Sequence, residues 1–133
     1  MTEEEKKVLI GKRLSRATES FEVAEEMYGK HNLFAVNRYY YAMFYAASGV
    51  LIFEGFLTKT HKGVITEFNR LLVKNGKFTR EEGKLLTRLF QWRTKGDYDD
   101  DAEFTTDQLD SIRQPIRKFL THVELYLSEH INS

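Results

Sequence analysis

The sequence predicts an all-α protein, an antiparallel bundle of four to five helices. Three observations carry that prediction. Successive stretches repeat their apolar residues at steps of three and four. No stretch of useful length alternates at period two, so no sheet is expected. The connections between stretches are mostly short, which sets neighbouring helices antiparallel. The chain has 133 residues, and one domain, 1–133, is the default for that length.

The first helix is expected from about Thr2 to Tyr28, on a stripe of Ile10, Leu14, Ala17, Phe21, Ala24 and Tyr28, with Gly29 as its stop. Asn32 is a good cap for a second helix, from about Leu33 to Glu54, ended by Gly55. Thr60 can cap a third, to about Lys74, and "NGKFT" is a turn. Thr79 with Glu82 makes a capping box for a fourth helix, to about Lys95, with Gly96 as its stop. Thr105 with Gln108 makes another for the last helix, to about Glu129. Pro115 lies inside that helix, where it removes a hydrogen bond and is expected to kink it.

The second helix is unusual. Its core reads "NRYYYAMFYAASGVLIF", with five tyrosines or phenylalanines between Tyr39 and Tyr45. A surface helix carries one apolar stripe, and this one is apolar all round. It is therefore expected at the centre of the bundle. Its surplus of apolar positions also points to a second copy of the chain, and so to a homodimer.

Net charge is zero but unevenly spread. Residues 57–96 carry ten Lys or Arg against three Glu, a net of +7, and residues 97–110 carry seven acids and no base. The basic block suits a phosphate-rich partner; the bland alternative is a pair of solvated helix faces neutralised by the acidic segment beside them. There is no cysteine, which excludes disulfides, thiolate metal sites and cysteine nucleophiles and fits a reducing compartment. The N-terminus lacks the apolar core of a signal peptide, and the apolar run 39–53 is too short to span a membrane. The expected location is cytoplasmic, with no membrane partner.

Arg93 is the leading candidate for chemistry. Leu86, Phe90 and Arg93 share one helix face, so the guanidinium emerges from the apolar side and needs a partner or a cleft. Asp97 and Asp99 are the structural partners within reach. Arg38, beside Asn37, raises the same question in the aromatic helix, and Tyr41 follows on its face. The "GDYDDDAEF" segment departs from a calcium loop, with Ala102 and Gln108 where Gly and Glu are required. His61 opens the third helix among lysines. His31, His122 and His130 show no metal-ligand spacing, so neither a metal nor a cofactor is expected.

Three blocks in order, "NRYYYAMFYAASGVLIFEGF", "KTHKGVITEFNRLLVKNGKF" and "LLTRLFQWRTKGDYDDDAEFT", resemble the HEPN superfamily, and within it the small stand-alone UPF0332 branch, over roughly residues 5–128. The resemblance implies a helical homodimer with a site in the cleft between copies. It also implies a minimal nucleotidyltransferase partner, often in a toxin–antitoxin pair. Toxic members are metal-independent endoribonucleases with an Arg-x4–6-His motif. Arg93 matches that arginine, but positions 98, 99 and 100 are Tyr98, Asp99 and Asp100. "RKFLTH", Arg117 to His122, fits the count but lies mid-helix with its two ends about 140° apart.

The implied site therefore has Arg93 and Tyr98 in the catalytic positions, with Asn37, Arg38, Tyr41, His61 and Asp97 as ligand-binding residues. A tyrosine is a poor base near neutral pH. The expectation is a nucleotide- or RNA-binding HEPN protein with a degenerate ribonuclease motif. The alternatives are an active metal-independent endoribonuclease toxin and a non-catalytic assembly module.

Overall fold

A computed structural model describes residues 1–58 and 60–131. The order is α1 (Glu3–Met27), α2 (Asn32–Phe53), α3 (His61–Phe68), a π-helical turn (Asn69–Val73), α4 (Arg80–Tyr98) and α5 (Thr106–Ile131). Among the described residues there is no strand, and no helix is long and apolar enough to cross a membrane.

The caps follow from residue chemistry. Thr79 and Glu82 form a reciprocal capping box at α4, with Thr79 N–H donating to Glu82 Oε1 at 2.8 Å. Thr105 and Gln108 do the same at α5, and Thr2 with Glu5 at α1. Thr60 Oγ1 accepts from Gly63 N–H at 2.9 Å. Each such cap contributes about 0.5–2 kcal/mol.

Three boundaries differ from the sequence reading. Asn32 is the first residue of α2, not its cap. Its Oδ1 accepts from Gly29 N–H at 2.8 Å and its Nδ2 donates to Phe104 C=O at 2.9 Å, which ties the α1–α2 turn to the segment before α5. Gly96 does not stop α4, which runs on to Tyr98. A Cβ at Gly96 would stand 2.9 Å from Leu33 Cδ1, so this glycine serves the close approach of α4 to the start of α2. The third helix widens into the π turn, where Asn69 Nδ2 donates to Ile65 C=O. α5 continues as one helix through Pro115.

α2 is the central helix, packed against α1, α3, α4 and α5. Tyr39, Ala42, Met43, Ala46, Ala47, Val50 and Leu51 are all buried. Most of the excess of apolar residues is thus buried within one chain. Ala46 and Ala47 lie in the core, and Tyr41, Phe44 and Tyr45 of α2 are left half-buried. Beyond α2, Phe68 packs edge to face on Phe78 and on Phe119, and those two rings meet at a tilt.

One polar cluster joins three helices. Glu25 on α1 accepts from Tyr39 Oη at 2.5 Å, Arg113 Nε at 2.8 Å and Arg117 Nη2 at 3.0 Å. Arg113 also stacks over Tyr28, 3.8 Å from its centroid. Burial opposes ionisation of Glu25. The bonds from Arg113 and Tyr39 and the two arginine charges outweigh it and hold the carboxyl below its ordinary value.

Candidate functional site

The fourth side of α2 is only partly covered. Asn37, Arg38, Tyr41, Phe44 and Tyr45 are half-buried there, and Phe34 is 61% exposed at its upper end. Their spacing puts them on one helical face. Cations lie over the rings. The Arg38 guanidinium is 4.7 Å from the Tyr41 centroid, and that of Arg16, from α1, is 5.7 Å from Tyr45. Arg38 Nε donates to Asn37 Oδ1 at 3.0 Å and forms no ion pair among the described residues.

Arg93 reaches this face from α4. Its guanidinium lies 5.8 Å from the Tyr40 centroid and 5.6 Å from that of Tyr41, and its Nη2 donates to Tyr41 Oη at 3.3 Å. Its Nε is 2.9 Å from Asp97 Oδ2, one turn further along the same helix. That contact is an ion pair by distance but is misaligned for a hydrogen bond. The buried Nε–H therefore has no acceptor, and a guanidinium with a spare donor is unusual in a folded interior. Arg93 and Asp97 line a small cleft of about 120 Å³ with Asn37, Phe34, Leu33 and Trp92.

His61 arrives from the start of α3. Its Nδ1 is 2.6 Å from Tyr40 Oη. Its ring stacks on Phe44 with centroids 4.4 Å apart and meets Tyr41 edge to face. Burial, and then the charge of Arg93, hold the imidazole below its ordinary pKa, which favours the neutral ring. Burial holds the Tyr40 phenol well above its ordinary value.

The fold thus gathers Asn37, Arg38, Tyr41, His61, Arg93 and Asp97. Tyr98 is not among them; it ends α4 at 85% exposure. Sequence reasoning missed Tyr40, Phe44 and Arg16. The face shared by Asn37, Tyr41 and Phe44 was readable from spacing, whereas the Tyr40–His61 contact joins separate elements and left no local signal. Arg117 and His122 belong to different clusters, Arg117 with Glu25 and His122 with Glu82 at 2.8 Å. The acidic segment is pinned by buried Ala102 and Phe104, the latter against Trp92. Among the described residues no three His, Asp or Glu side chains are grouped to hold a metal. Among the described residues, Arg93 alone of the basic block forms an ion pair with the acidic segment.

A wider groove of about 580 Å³ lies between α4 and α5, floored by Leu85 and Phe119 and rimmed by Lys84, Arg88 and Lys118. Its cations are exposed side chains, whereas the cleft on α2 holds a sheltered, under-satisfied guanidinium. The latter is the stronger candidate.

The fold and site define an all-α bundle built around one apolar helix, with arginines gathered over that helix's tyrosines. The chain belongs to the HEPN domain family, whose model matches residues 10–126. It is 35% identical to a UPF0332 protein of Thermotoga maritima, over 97% of each chain. It is 27% identical to a protein of Methanocaldococcus jannaschii named "Putative toxin MJ0142", over 89% of this chain and 81% of that one. A second protein of that organism, "Putative toxin MJ0605", is 32% identical over 71% and 70%.

Proposed function

We propose that this chain is a toxin-like HEPN protein that binds RNA or a nucleotide at the Arg93 cleft. In this reading it acts with a minimal nucleotidyltransferase partner, as a homodimer whose half-covered α2 face meets the second copy. One observation carries the reading: the Arg93 guanidinium lies over two tyrosine rings at the edge of a small cleft, with Asp97 of its own helix as its one ion-pair partner among the described residues. A phosphate can accept hydrogen bonds from the outer nitrogens of this guanidinium, and the half-buried Tyr41 ring beside it offers a surface on which a base stacks. The toxin names of two relatives support the biological class.

A second reading, a metal-independent endoribonuclease, is favoured by the arrival of His61 at the cluster, since an imidazole replaces the one absent after Arg93. Both readings are tested by incubating the purified chain with total RNA and a chelator, beside Arg93→Ala. The proposal expects RNA binding that Arg93→Ala abolishes, a nearly unchanged melting temperature, and weak or no cleavage at pH 7. A destabilised Arg93→Ala that still binds RNA would make the arginine structural and end the site proposal. Robust chelator-resistant cleavage would establish the second reading.

A further inference from the structure

The Tyr40 phenol is sealed in the core, and the residue is 0% exposed. Among the described residues its hydroxyl has one hydrogen-bond partner, His61 Nδ1 at 2.6 Å. A phenol has one proton to donate, and a neutral imidazole has one N–H and one lone pair. If Nδ1 carried the ring proton and donated to the phenol oxygen, the phenol proton would be stranded inside the core. A stranded buried donor loses its hydration with nothing in return. If the phenol donates to Nδ1, both groups are satisfied and the ring proton sits on Nε2. A doubly protonated ring is disfavoured by burial and by the Arg93 charge. A phenolate is disfavoured by burial.

The Nε2 edge has no partner among the described residues, and it is not sealed from solvent. The ring plane is held by Phe44, Tyr40 and Tyr41. Arg93 lies against two of the same three rings, Tyr40 and Tyr41. We infer that Tyr40 is a positioning residue that locks His61 in the Nε2–H form, so that His61 offers a hydrogen-bond donor, not a proton-accepting lone pair, to an anionic oxygen held at Arg93. The inference rests on the anion-binding reading of the cleft. It turns the histidine from a substitute base into a second recognition group, and it separates this site from one that removes a proton from a ribose hydroxyl.

The test has two arms. Long-range ¹⁵N–¹H spectra of labelled protein at neutral pH should show His61 with Nδ1 unprotonated and accepting. In Tyr40→Phe, which keeps the ring packing, the spectrum should move towards a mixture of tautomers. The second arm titrates a short oligouridylate. His61→Gln places an amide N–H near Nε2 and should bind like the wild type. His61→Ala should bind about three- to tenfold more weakly, the loss of one hydrogen bond. A wild-type ring protonated on Nδ1, or a tautomer unchanged in Tyr40→Phe, would overturn the inference. The expected tautomer, with an affinity that neither His61→Ala nor Arg93→Ala changes, would instead overturn the anion-site reading and leave the Tyr40–His61 geometry standing.

Discussion

Asp97 stands against Arg93 as an internal anion, its Oδ2 2.9 Å from Nε without an aligned hydrogen bond. A ligand phosphate at Arg93 would have to compete with it. Asp97→Asn is therefore expected to tighten oligoribonucleotide binding by about two- to fivefold, in line with a part-exposed ion pair. Filter binding at fixed salt measures this. Unchanged or weaker binding would mean that Asp97 orients the guanidinium and does not occupy it.

Glu25 makes stability depend on acid. Its folded pKa lies below the unfolded value, so its stabilising contribution is complete above the ordinary carboxylate pKa of about 4.3. It is lost as pH falls through the lower folded value. Glu25→Gln is expected to cost about 1–3 kcal/mol at pH 7, since Tyr39 and Arg113 lose a charged acceptor. Urea melts of both proteins at pH 7 and pH 3 check the sign. A stability difference that does not shrink in acid would rule out this account.

Gly83→Ala should destabilise, against the usual preference of a helix for alanine. That preference contributes at most about 1 kcal/mol. Here the new Cβ would meet Asn69 Oδ1 at 2.3 Å and Val73 Cγ2 at 3.0 Å, and Asn69 is held by its bond to Ile65 C=O. Overpacking of this kind costs about 1–3 kcal/mol. A variant that melts higher than the wild type would show that the π turn yields without cost.

Ala47→Glu should give insoluble or unfolded protein, not a folded monomer. The site is 0% exposed, and an unpaired buried carboxylate costs more than about 4 kcal/mol. Tyr45→Glu, on the half-covered face, should fold and sediment as a monomer if that face joins two copies. Equal sedimentation of Tyr45→Glu and wild type would place any interface elsewhere.

Much of the fold was legible because it depends on local chemistry. Thr79 with Glu82 and Thr105 with Gln108 set helix starts through contacts three residues apart, and the apolar steps of α5 mark its buried face. Gly96 misled for the same reason. Its local meaning is a stop, and only the distant Leu33 gives it another role. The candidate site divides likewise. Asn37, Arg38 and Tyr41 share a face that spacing reveals, and Arg93 stood out as a cation on an apolar stripe. Tyr40 with His61, 21 residues apart, depends on how α3 lies across α2, which no local pattern encodes. Tyr98 rests on the motif spacing that the family resemblance implies, and α4 runs on to leave it exposed at the helix end.

The central position of α2 has a consequence during synthesis. Helices α1 and α2 leave the ribosome well before α5, whose Arg113 and Arg117 close onto Glu25 from 88 and 92 residues away. Until then the apolar girth of α2 lacks the cover that α5 provides. Such a surface invites holdase binding or coaggregation with neighbouring chains. Truncation before α5 should therefore yield inclusion bodies and not a smaller folded bundle, and premature termination would give cellular quality control a substrate instead of a partly active fragment.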